Sequence, residues 1–129
     1  MISTNAFDYI NILDKAADAS WTRETLIANN IANADTPGYK RQDIDFQTAL
    51  RNELSRFKYT SLDKKIQDVD LSHLNPEVYT DSANYSYRLD GNNVDIDTEQ
   101  VELASEQIKY QALTTSITSE FTRLQTVLK

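Results

Sequence analysis

Apolar residues recur at helical spacing at both ends of this chain. Ile10, Leu13, Ala17, Trp21, Ala28 and Ile31 lie three, four and seven apart, interrupted by the acidic Glu24, and predict one long amphipathic helix over residues 5–34. At ~1.5 Å per residue its 29-residue Asn5 to Asn33 span is about 40 Å, longer than a compact domain of this size usually provides. Ala16, Ala17, Ala19 and Ser20 allow a second helix to approach closely before the Trp21 indole fills a wider gap. The clearest stripe is Leu103, Tyr110, Leu113, Ile117, Phe121, Leu124 and Leu128, on a second long helix over 98–128. Val101, Ala104 and Ile108 add an offset stripe, so the first half of that helix is apolar on two sides and suited to two neighbours. The pattern predicts a mainly α fold in which the terminal helices form an antiparallel, coiled-coil-like hairpin.

Between the helices the signals are local. Thr36-Pro37-Gly38-Tyr39 predicts a helix stop followed by a type II turn with positive φ at Gly38. Asn29, Asn30 and Asn33 crowd the last helical turn, where carboxamides bond orphan carbonyls or reach another chain. Ile44, Phe46 and Leu50 predict a short amphipathic helix from 46 to about 56, so 35–56 reads as a turn plus a short helix. Residues 57–84 are polar, mixed in charge and weakly periodic, and predict a mobile loop with at most short helical or extended pieces. The lone His73 lies there, exposed and without a second ligand residue at metal spacing. Alternation in Tyr85 to Leu89 and Val94 to Ile96, around Asp90-Gly91-Asn92-Asn93, predicts a β-hairpin over 85–97. Asp97 and Gln100 then make a capping-box-like start to the last helix, with Glu99 and Glu102 in its first turn. A calcium loop starting at Asp90 fails, because the twelfth position is Val101.

Composition narrows the classes. With 129 residues the chain is one domain, and two glycines, two prolines and a mean hydropathy of −0.57 favour long polar-surfaced helices over a self-sufficient globule. The formal charge of −7 argues against a nucleic-acid partner. Having no cysteine, the chain has neither a disulfide framework nor a thiolate metal site. No run approaches membrane-spanning length, and the N-terminus lacks the pattern of a cleaved secretory signal. No nucleophile with a base, metal cluster or phosphate loop stands out, so the expectation is no catalytic residue, no metal, no cofactor, no small-molecule substrate and no enzyme.

A Pro-Gly turn alone means no more than a helix stop. This one ends the run A-N-N-I-A-N-A-D-T-P-G-Y, which resembles the signature of the flagellar rod and hook axial proteins. The continuation K-R-Q-D-I-D-F and the run from Leu89 to Leu113 are similar to the proximal-rod branch of that family. The matching positions are Asn29, Asn30, Ala32, Asn33, Thr36, Pro37, Gly38 and Tyr39, with Val94, Asp95, Tyr110 and Gln111 in the later run. The resemblance implies a structural subunit of the proximal rod that links the membrane-embedded base and export gate to the distal rod and transmits torque. It implies partners among its own copies, other rod proteins, and base and gate components. It also implies a location in the basal body after flagellar type III export without a cleaved signal.

On this reading Ile10, Leu13, Trp21, Ile31, Leu113, Ile117, Phe121, Leu124 and Leu128 form the subunit interface. The resemblance also associates the Phe46 to Leu50 spacing with docking at the export gate, although such a pair is equally an ordinary packing pair. The alternative is a soluble helical adaptor or export chaperone that binds a partner helix. Self-association separates the two.

Overall fold

The computed structural model describes residues 2–56, 60–81 and 89–128, with side chains from residue 7 onward. It is mainly helical. Helix α1 spans Ile2–Ala32 and helix α4 spans Ile96–Leu128, and the two pack against each other over much of their length. Their antiparallel register is fixed by Asn30 beside Glu99, Arg23 beside Glu106, and Trp21 beside Tyr110. At ~1.5 Å rise per residue, the 33 residues of α4 make a rod of about 50 Å.

Helix α1 is buried on two faces. Ile12, Ala19 and Leu26 on one face form the core with Ile44, Phe46, Ile66 and Leu74. These come from strand β1 (Gln42–Asp43) and its exit, helix α2 (Phe46–Ser55), helix α3 (Leu62–Gln67) and a 3-10 turn over Leu71–Leu74. The 57–84 stretch, whose composition predicts a loop, therefore supplies two core residues among its described positions. Its weak periodicity follows from the shortness of its pieces, each burying one anchor, Ile66 or Leu74. Asp45 caps α2 by accepting from the Thr48 N–H at 3.0 Å, and Ser61 caps α3 by accepting from the Lys64 N–H.

The small sheet pairs β1 antiparallel with β2 (Tyr79–Thr80), Gln42 opposite Thr80 and Asp43 opposite Tyr79. The sequence also places a hairpin at 85–97, of which only the part from Leu89 onward is described, with Ile96 already in α4. Tyr85 to Tyr87 lie outside the described residues, and Leu89 to Asp95 form a turn and an irregular stretch. The reason is side-chain competition for the backbone. Asn93 Oδ1 accepts from the Arg41 N–H at 2.8 Å and its Nδ2 donates to the Asp81 carbonyl at 2.7 Å, tying together the two chain segments next to the sheet. Helix α4 starts two residues before the expected Thr98 because Asp95, rather than Asp97, is the cap: its carboxylate accepts from the N–H groups of Asp97 and Thr98.

The Pro-Gly turn has the expected geometry. The Tyr39 N–H donates to the Thr36 carbonyl at 3.2 Å, and Gly38 has φ +74°. Gly91, with φ +79°, faces it: the Gly38 N–H donates to the Asp90 carbonyl at 2.7 Å, and a Cβ on Gly91 would lie 3.6 Å from the Gly38 Cα. The two turns therefore meet backbone to backbone.

Candidate functional site

The signature stretch forms a turn exposed at Asn29, Ala32, Thr36, Pro37 and Gly38 and anchored from beneath by a polar knot. Asn30 is fully buried, and its carboxamide satisfies a whole peptide unit: Nδ2 donates to the Gln42 carbonyl and Oδ1 accepts from the Gln42 N–H, both at 2.9 Å. The Tyr39 hydroxyl donates to the same Oδ1 at 3.0 Å. Asn92, also fully buried, reaches from the later motif to cap the end of α1. Its Nδ2 lies 2.9, 3.0 and 2.9 Å from the carbonyls of Asn33, Ala34 and Thr36. These carbonyls lie in the turns just past the end of α1, so one carboxamide nitrogen gathers the chain where it leaves the helix. Of the three crowded asparagines, only Asn33 bonds its own helix, donating to the Asn29 carbonyl.

Beneath the knot lies an ion-pair network. Arg23 on α1 donates from Nε to Asp43, from Nη1 to Glu106 and from Nη2 to Glu102, each at 2.9 Å. Arg41 donates to Glu99 at 2.5 Å and to Asp81 and Asp43 at 3.2 Å. Asp43 thus bridges the two guanidiniums. Burial pushes the Asp43 carboxyl up, but Arg23, the Ile44 N–H and Arg41 outweigh burial and hold it below the usual carboxylate range. Burial also lowers both arginines, and their carboxylate partners outweigh it, so both stay fully charged. The polar composition around them reads as solvated helix faces and loop. Glu99, Glu106, Asp43 and Glu53 are instead buried and paired. A readable signal existed: Glu99, Glu102 and Glu106 recur at helical spacing on the α4 face turned to α1.

A smaller cluster fixes the middle of the chain. Glu53 accepts from the Asp70 N–H at 3.0 Å and from Arg56 at 2.9 Å, and lies 2.8 Å from His73 Nδ1. His73 is exposed, as expected, but it is also paired.

The residues assigned to a subunit interface divide into two groups. Ile10 is buried within the chain, and Leu13, Ile31, Leu113, Ile117 and Leu124 are half-buried. Trp21 at 59%, Phe121 at 48% and Leu128 at 84% are exposed. The offset stripe of Val101, Ala104 and Ile108 faces outward and continues through Ala112, Thr115, Ser119, Thr122 and Thr126. All eight are exposed and uncharged, about seven helical turns of surface. Phe46 is 8% exposed, and Leu50 packs beside it against the core. Among the signature positions, Asn29, Ala32, Thr36 and Pro37 are exposed, while Val94 is buried and Gln111 exposed in the later run. Among the described residues there is no three-residue metal-ligating cluster and no helix long and apolar enough to cross a membrane.

An antiparallel helix pair closed by this knot, with a bare uncharged helix face, is the architecture of a helical axial subunit. The family model described as "Flagella basal body rod protein" matches residues 25–40, the stretch that builds the turn. The flagellar basal body rod protein FlgB of Bacillus subtilis is 40% identical over 119 residues, covering 92% of each chain. The FlgB proteins of Escherichia coli and Buchnera aphidicola are each 32% identical, over 83% and 92% of both chains respectively. The chain belongs to the FlgB family of flagellar basal body rod proteins and is a structural subunit of that rod.

Proposed function

We propose that this subunit forms the proximal segment of the rod, joins the membrane-embedded base and export gate to the distal rod, and transmits torque between them. Its partners are further copies of itself, other rod proteins, and components of the base and gate. The observation that carries the reading is the pairing of a rigid junction with an uncovered helix face. Asn30, Asn92, Arg23 and Arg41 lock the turn region to both long helices, while α4 leaves about seven turns exposed and uncharged. A torque-bearing part needs the first, and stacking needs the second. The protein acts without catalysis: the carboxylates of Asp43, Glu53, Glu99 and Glu106 are committed to arginines and backbone donors.

We place the subunit contacts on Trp21, Leu113, Ile117, Phe121, Leu124 and Leu128, with Ile10, Leu13 and Ile31 supporting them from inside the hairpin. Export proceeds through the flagellar type III apparatus without cleavage. Phe46 and Leu50 dock at the gate before they enter the core, because both are packed once the chain folds. Basal bodies isolated from a strain whose own FlgB is replaced by this chain test the reading. The chain recovered in the rod fraction supports it, and a chain recovered only with one soluble partner favours the adaptor.

A further inference from the structure

Outside the ion-pair network, α1 and α4 leave a shallow groove lined by Trp21, Glu24, Thr25, Ala28, Leu103 and Gln107. Among these described residues Glu24 alone is charged. Its Oε1 atom is covered from solvent and has no hydrogen-bond partner, unlike the carboxylates of the network. Beside it the Trp21 indole is mostly exposed, held in a tilted contact with Tyr110 at 5.7 Å between centroids. A carboxylate next to an open indole face suits a cationic side chain, which stacks on the ring and pairs with the acid.

The same chain carries a surface of matching chemistry further along α4. Thr115, Ser119 and Thr122 contribute to a second shallow groove of small hydroxyl residues. Next to it Arg123 is 76% exposed, with only a one-turn pairing to Glu120 at 3.1 Å. We propose that the distal half of α4 from a second copy of this chain docks into the Trp21 groove, placing its Arg123 on Trp21 and Glu24. The two surfaces differ, so the contact is heterologous and extends into an open series of subunits instead of closing as a dimer. It also pairs opposite charges between chains that each carry a formal −7. Burial raises the Glu24 carboxyl above its usual range, with Glu106 adding to the effect.

This contact rests on the rod reading, and its test separates the two. Basal bodies are isolated from strains making wild-type chain, Glu24→Lys, Arg123→Glu, or both, and chain in the rod fraction is quantified. Each single change is expected to lower incorporation about tenfold or more, and the charge-swapped double variant to return within about threefold of wild type. A Thr25→Cys/Ser119→Cys chain, on a cysteine-free background, is expected to give a ladder of disulfide-linked oligomers in those rods, with neither single cysteine doing so. Single charge variants that incorporate like wild type, or a double variant no better than the singles together with no ladder, overturn the contact and leave the rod reading standing. Wild-type chain missing from the rods overturns both.

Discussion

The carboxamide of Asn30 pairs with both the N–H and the carbonyl of Gln42, each at 2.9 Å, in a position shut off from solvent. One side chain thereby does the work of a β-strand neighbour for the first residue of β1. Asn30→Ala is expected to cost about 2 to 4 kcal/mol, since it strands two buried backbone groups and the Tyr39 hydroxyl. Asn30→Asp is expected to cost more, because it loses the donor to Gln42 and sets a charge beside Glu99. Urea midpoints of the purified variants measure both.

Gly38 sits at φ +74°, and a Cβ there would meet nothing within 4 Å, so substitution costs backbone strain alone. Gly38→Val is expected to destabilise the turn by about 1 to 3 kcal/mol and to reduce motility while export persists. Swimming-plate diameter and secreted-protein level, measured together, check this. Normal swimming with this substitution would detach the turn geometry from function.

Acid should weaken the fold through Asp43 and Glu53. Burial raises each, and arginines, His73 or backbone donors outweigh it, so both folded carboxyls lie below their unfolded values. The stability they supply is therefore complete above the usual carboxylate range, about pH 4, and is lost as pH falls through the folded values. Asp43→Asn should flatten the acid limb of a stability-versus-pH curve. Glu24 has the opposite sign: its folded value is raised, so its ionisation opposes folding above the ordinary carboxylate range. Glu24→Gln should stabilise the isolated chain at pH 7, with the gain disappearing near pH 4.

The long helices, the turn after Thr36 and the short helix at Phe46 are legible because each rests on a local signal: apolar periodicity in the helices and a residue restricted by proline at the turn. What escaped the sequence depended on partners far along the chain. Arg23 reaches Glu106 across 83 positions and Asn92 reaches Asn33 across 59, and no local pattern announces either contact. Reading Glu99 and Glu102 only as first-turn acids hid the row they make with Glu106, which is the face turned inward there. The offset stripe of Val101, Ala104 and Ile108 is a second side of the helix, and it is the outer one.

Because Phe46 and Leu50 belong to the core, alanine changes affect folding as well as any docking role. Phe46→Ala is expected to lose about 3 to 5 kcal/mol of stability. An export role predicts a further result: Phe46→Ala and Leu50→Ala lower secretion even when fused to a segment that keeps the chain unfolded. Equal secretion of the unfolded fusions, with and without the changes, would confine both residues to packing.

A distal α4 stripe that serves as the seam of an assembled rod repeats its contacts at every subunit, so a small defect in it multiplies along the structure. Ile117→Gln/Leu124→Gln keeps helix formers in place while removing two half-buried apolar side chains, each worth about 1.5 to 3 kcal/mol when fully buried. The deciding measurement is the amount of this double variant in purified basal bodies, with a parallel check that it reaches the export apparatus. A seam role predicts normal delivery and near-complete loss from the rod, whereas recovery at wild-type amounts would contradict it.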